Sequence, residues 1–233
     1  PRCKTRLYDS GIKTPMMVRW PAVIKPGTVT KSLVSTIDIG PTMLALAGVA
    51  PDPRIQGVSF QKVLTQPEAK VRDYAFAEHN WHVFKAHERM VRSGHWLYIR
   101  NAWPEQRNLC VESIEFPSGE VLWQRFKEGK LNEFQQDVFL KPRPAEELYL
   151  VTEDPYQFHN LAAKPENAGE LSRLRKVLDQ WTEETGDTVP KNPTVDRNQR
   201  PGEPAPPEFE HREMPGDAKQ AKTINAPGPI LAR

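Results

Sequence analysis

The sequence predicts an α/β chain: the end of a larger sheet, then a small antiparallel sheet packed on one long helix, then a Pro-rich tail. Three observations predict it. An apolar run over residues 14–20 is closed by Pro21 and followed by a capped helical pattern. Two short strand-like runs, 89–92 and 95–99, are separated by a two-residue turn signal. Residues 166–186 carry Leu171, Leu174, Leu178 and Trp181 at i, i+3, i+7 and i+10, and Gly186 ends the pattern. The expected domains are residues 1–65, the end of the larger sheet; residues 66–188, the sheet–helix unit; and residues 189–233, an extended or disordered tail.

Taken in order, residues 14–20 read as a buried strand. Ile24-Lys25-Pro26-Gly27 reads as a turn. Ser35-Thr36-Ile37-Asp38 can cap a helix with Pro41 in its first turn, Ile39, Met43, Leu46 and Ala47 on one face and Gly48 as its stop. Residues 73–79 and 147–150 read as further strands. From Pro190 the composition is Pro, Gly, Glu and Lys with almost no apolar period, too little apolar surface to offset ordering entropy. That tail is expected to be disordered or to run extended over another part of the molecule.

Hydrophobic residues make up 38% of the chain and mean hydropathy is −0.64, low for one compact unit of this size. The net charge of +2 comes from interleaved signs without a basic block, so a nucleic-acid binder is not expected. No apolar run approaches the ~20 residues of a membrane span. Cys3 and Cys110 could form one disulfide or none, and no Cys/His cluster has zinc-like spacing.

The stretch from Lys4 to Pro21 resembles the start of the C-terminal half of the type I sulfatases, of the alkaline-phosphatase-like superfamily. Lys4, Tyr8, Gly11, Ile12, Lys13, Pro15, Trp20 and Pro21 fit that family's pattern. Cys3, where Gly is usual, and Asp9-Ser10, where a Glu-x pair is commoner, depart from it mildly. The match is close again over residues 34–48, continues in the turn Gly57-Val58-Ser59-Phe60, and returns over residues 147–161 with Val151 and Phe158 as departures. Residues 102–145 are the least typical part. Pro117-Ser118-Gly119, residues 134–140 and the run Glu78-His79-Asn80-Trp81-His82 look most like the heparan N-sulfatase (sulfamidase) branch.

The resemblance implies chemistry for a few residues. A lone lysine is ordinarily a solvated surface charge; in this motif Lys4 takes the family's role of contacting the sulfate group. An ammonium close to those oxygens stabilises charge that grows as the S–O or S–N bond breaks. His79 and His82 follow a strand and are the candidate substrate-binding residues, because imidazole can donate to sulfate or sugar hydroxyls or protonate a leaving amine. Lys13 is read as structural and Arg19 as solvated. His87, His95, His159 and His211 look like hairpin, loop or tail residues. Trp20, Trp96, Trp123 and Trp181 are expected in the core. Trp81 and Trp103 are the better candidates for a glycan subsite, although packing is the commoner role.

The family's nucleophile is a formylglycine made from the Cys of a Cys-x-Pro-x-Arg motif, and neither Cys3 nor Cys110 stands in one. Its calcium is held by Asp and Asn side chains, none of which can be named here; metal ligands in this chain are expected to be none. The chain begins inside the motif, so both groups are expected upstream, and the isolated chain is expected to be inactive. The parent is then expected to be a periplasmic or secreted sulfatase (lysosomal if animal) acting on sulfated glycans or other sulfate esters. Two alternatives stand beside it: a phosphonate or phosphate monoester hydrolase of the same superfamily, and a non-catalytic glycan-binding module.

Overall fold

The structure is a computed structural model describing residues 3–110 and 115–217. Its centre is a four-stranded antiparallel sheet, β1 (Ala75–Trp81), β2 (Lys85–Ser93), β3 (Trp96–Asn101) and β4 (Glu146–Leu150), in the order β1-β2-β3-β4. β2 and β3 form the expected hairpin, with Ser93 opposite Trp96, so the two turn residues are Gly94 and His95. The strand period of two divides the side chains cleanly. Val91, Tyr98 and Leu148 face the long helix α5 (Ala168–Thr185) and pack on Leu171, Leu174 and Leu178. Their chain neighbours Met90, Leu97 and Tyr149 face the other way and pack on Leu7 and Tyr8. Burying each such side chain contributes roughly 1.5–3 kcal/mol. α5 stops where expected, at Gly186, whose φ of +69° is the left-handed cap that glycine adopts without strain.

Ahead of the sheet lie the short helix α1 (Asp9–Ile12) and the helix α2 (Ile39–Leu46). α2 is entered through the capping box of Ser35 and Asp38. Asp38 is fully buried and is held by Arg72 and by the Val58 N–H at 2.8 Å. Two expectations for this region are corrected. Residues 14–20 form no strand, and Met17 is 94% exposed, with Met16, Val18 and Trp20 also exposed. A strand is stable only when a neighbour takes its N–H and C=O groups, and among the described residues none pairs with 14–19. The expected apolar face of α2 is likewise open: Ile39 and Met43 are exposed, while Pro41 and Thr42 are buried.

Residues 102–145, for which the sequence suggested no elements, contain α3 (Pro117–Lys127) and α4 (Glu133–Gln136). Leu131, Val138 and Phe139 form a small core of their own with Leu122 and Trp123. Of the two expectations for the tail, residues 190–217 follow the second and run extended over the β1–β2 end of the sheet. The Trp81 Nε1–H donates to the Val195 carbonyl at 2.9 Å, and the Lys85 N–H donates to Asp196 at 2.6 Å. Arg200, 3% exposed, ties the segment to the Lys85 and Arg107 carbonyls. These polar and aromatic anchors replace the apolar period whose absence suggested disorder. Residues 218–233 lie outside the described residues.

Candidate functional site

The Lys4 turn is shaped by local backbone geometry. The Arg6 N–H donates to the Cys3 carbonyl at 3.1 Å, and the Gly11 N–H to the Tyr8 carbonyl at 2.8 Å. Thr5 sits at a φ of +60°, a left-handed conformation costly for a β-branched residue. Gly11 cannot be replaced without movement: a Cβ there would lie 2.2 Å from the Cys3 oxygen and 2.3 Å from the Arg6 oxygen. Lys4 is exposed, whereas Arg6, Leu7 and Tyr8 are buried beneath it.

Those buried residues bolt the turn to the sheet. Arg6 donates to the side chain and carbonyl of Asn108. The Tyr8 hydroxyl donates to Glu147 on β4 at 2.8 Å, and Tyr149 donates to the same carboxylate. Asp9 pairs with Arg92 on β2 at 2.9 Å, and its N–H donates to Gln157 at 3.0 Å. Gln157 is itself left-handed, at a φ of +52°, and 1% exposed. Two strained residues are thus held by bonds reaching β2, β4 and the loop that follows β4.

His79, on β1, belongs to a charged cluster under this turn. Its Nδ1 lies 2.6 Å from the Glu88 carboxylate, which also takes Arg143. Burial alone would push the Glu88 carboxyl up. Arg143, His79 and Arg6 outweigh burial and hold it well below the usual carboxylate range. An ionised carboxylate only accepts, so Nδ1 carries the proton. Burial, against a partial offset from Arg143, raises the neighbouring Glu147 carboxyl. The structure therefore brings together Arg6, Glu88, His79 and Arg143. It places His82 apart from them, exposed in the turn between β1 and β2.

Several readings of single residues change. His87 lies on a strand of the hairpin, β2, and is 5% exposed, with Nε2 donating to the Thr188 carbonyl at 3.2 Å. Burial, helped by the Arg89 guanidinium, lowers its pKa to about 4. Trp20 is not in the core. Trp81 is engaged by the tail, with Arg197 5.3 Å and Phe209 5.7 Å from its ring. Trp103 packs 5.9 Å from His87. Cys3 and Cys110 are not joined in a disulfide; the first is exposed and the second buried.

Sequence reasoning missed Arg6, Glu88, Arg143 and Glu147. Arg6 sits two residues from Lys4 but looks like any other motif cation, and no period marks the other three. Among the described residues no group of three or more His, Cys, Asp or Glu side chains could hold a metal ion.

Comparison with known proteins agrees with the motif. The family model described as "N-sulphoglucosamine sulphohydrolase, C-terminal" matches residues 3–103. An ulvan-active sulfatase of Formosa agariphila is 38% identical over 192 residues, covering 80% of this chain and 31% of that protein. A second ulvan-active sulfatase of the same organism is 31% identical over 202 residues, covering 81% of this chain and 36% of that protein. A solved structure, described as in complex with its substrate D-glucosamine-2-N,6-O-disulfate, is 19% identical with a TM-score of 0.49, covering 71% of this chain and 27% of that one. The chain spans about a third of the length of the curated relatives it matches. On the Lys4 motif, the family model and these relatives, the chain matches the C-terminal portion of the sulfatases.

Proposed function

We propose that the protein carrying this chain hydrolyses sulfate esters or N-sulfate groups of sulfated glycans, with Lys4 contacting the sulfate. The observation that carries this reading is the 38% identity to an ulvan-active sulfatase over 80% of the chain. The rigid, exposed setting of Lys4 supports its role. A compact ammonium on a turn bolted to three elements loses little freedom when it meets a tetrahedral oxyanion. His82, exposed beside β1, is the better placed of the two histidines to donate to a sugar hydroxyl, whereas the His79 Nδ1 is already committed to Glu88. An exported location, periplasmic or secreted, accompanies this reading; no helix among the described residues is long and apolar enough to cross a membrane.

Calcium and formylglycine are the groups this family uses. The residues described here do not fit either: they offer no carboxylate cage, and both cysteines lie outside a Cys-x-Pro-x-Arg motif. No step is therefore assigned to either group within this chain.

The test is Lys4→Ala in the full-length protein, with free sulfate measured from ulvan and from N-sulfoglucosamine. Loss of one preorganised charge partner is expected to lower kcat by about 10²–10³-fold. Release within threefold of wild type would remove Lys4 from the reaction. No release from either substrate by the unaltered protein would remove the sulfatase reading.

A further inference from the structure

A second cationic feature lies beneath the Lys4 turn. A cavity of about 280 Å³ of free space, continuous with solvent, is lined by Arg6, His79, Lys85, Arg107, Arg143 and Arg200, with neutral residues completing the wall. It narrows to room for about one water-sized group. None of the lining residues carries a carboxylate. Three carboxylates border the cluster, one of them Glu147, 4.0 Å from Arg143. Glu88 holds Arg143 and His79, and Asp196 holds Arg200 at 2.6 Å. Arg107 meets no carboxylate among the described residues; its Nη1 donates to the Pro201 carbonyl at 3.2 Å.

The hydrogen-bond inventory at this cavity is incomplete. The Nε–H of Arg6 and the Nε–H of Arg107 are buried without an acceptor among the described residues, and the Nε2 of His79 is buried without a partner among them. Arg6 is 3% exposed. A buried charged donor left without an acceptor is costly, and burial pulls the Arg6 pKa below its ordinary value. With its proton on Nδ1 toward Glu88, a neutral His79 ring has Nε2 as an acceptor, so the unused donors are those of Arg6 and Arg107. Excess cations, unused donors and a small void without acid share one place.

We propose that this cavity binds a single small inorganic anion, of the size of chloride, with Arg6 and Arg107 as its principal donors. The anion would supply the acceptor that both Nε–H groups lack and balance the charge left over from Glu88, Glu147 and Asp196. Because Arg6 is two residues from Lys4, an occupied cavity also steadies the turn that presents the lysine.

Thermal unfolding of the full-length protein tests this, with sodium chloride exchanged for sodium gluconate at constant ionic strength, gluconate being too large to enter. A saturable rise of Tm with chloride is expected. In Arg107→Gln the apparent Kd should weaken by about ten-fold or more, the scale of one lost hydrogen bond to a charged group. Bromide soaked into crystals should give an anomalous peak between Arg6 and Arg107 that the variant lacks. A Tm that follows ionic strength alike in both salts, as it would with only water in the cavity, overturns the proposal. So does a variant that titrates as wild type. Should Arg107→Gln not fold, Arg107→Lys keeps the charge without the Nε–H, and unchanged chloride affinity there overturns it equally. None of these readouts depends on sulfate release, so the proposal stands or falls apart from the sulfatase reading.

Discussion

Two regions of this chain contain similar amounts of apolar sequence and treat it in opposite ways. In the sheet–helix unit, Leu97, Leu148, Leu174 and Leu178 are fully buried and even the arginine at its centre, Arg89, is 1% exposed. In residues 13–58, Met16, Met17, Val18, Ile39 and Met43 lie open to solvent. The difference teaches that hydrophobic sequence does not fold by itself. The sheet–helix unit contains both faces of its own core, since β1–β4 supply two sides and α5 and the Lys4 turn cover them. The other region contributes only Ile24, Val34 and Leu46 to a small cluster on Phe60, Val63 and Leu64. In a chain spanning about a third of its relatives' length, an element can carry a strand's sequence while its pairing partners lie in another part of the protein.

The sharpest way to break the comparison is through the charge that the sheet–helix unit buries. Arg89 donates through Nε and Nη2 to both oxygens of Asp187, each at 2.7 Å, and so fastens β2 to the end of α5. Asp187→Ala leaves the buried guanidinium with only the half-exposed Glu78, at 3.7 Å, as an ionic partner among the described residues, and is expected to lower unfolding stability by about 3–5 kcal/mol. The exposed pair of Arg54 and Asp52, at 3.2 Å in the open region, provides the contrast: Asp52→Ala should change stability by less than about 1 kcal/mol. Urea unfolding of both variants measures the difference. Equal effects would mean that the buried pair is no more important than a surface one.

A second test uses pH, where His87 lies beside that same pair. Its folded pKa of about 4 lies below the ordinary 6.5, so between these values the unfolded chain binds more protons than the folded one. Stability is therefore fully present above pH 6.5 and is lost as pH falls toward 4, by up to ~3 kcal/mol. His87→Gln should flatten the slope in this window. A wild-type slope of the same steepness in the variant would assign the acid sensitivity to other groups.

Legibility in the sequence follows the same division. The hairpin, β4 and α5 were readable because period two, period 3.6 and a stop at Gly186 are local signals that tertiary contacts reinforce. Residues 14–20 gave an equally clear strand signal, yet the strand needs a neighbour that a single segment cannot reveal. The helix α3 was missed because Pro and Gly in its first turn mask a helical pattern, although Pro at the first helical position needs no N–H partner. At the candidate site, the motif pointed to Lys4. Arg6, Glu88, Arg143 and Glu147 were not legible, because a buried ion cluster is assembled from strands far apart in sequence and leaves no spacing to find.

The smallest expected effect is the most direct measure of the open region. Leu174 is fully buried against β2, β3 and β4 residues, so shortening it would leave a cavity. Met17 touches almost nothing, being 94% exposed. Met17→Ala should therefore leave the stability of this 233-residue chain within ~0.5 kcal/mol. The same substitution in the full-length protein should cost about 2–5 kcal/mol if residues 14–20 become a buried strand there, the usual range for a core methionine cut to alanine. Comparing the two variants in the two settings separates an exposed segment from an unpaired one. A stability unchanged in both would show that this apolar stretch faces solvent in the whole protein as well, and that the strand pattern was a coincidence of composition.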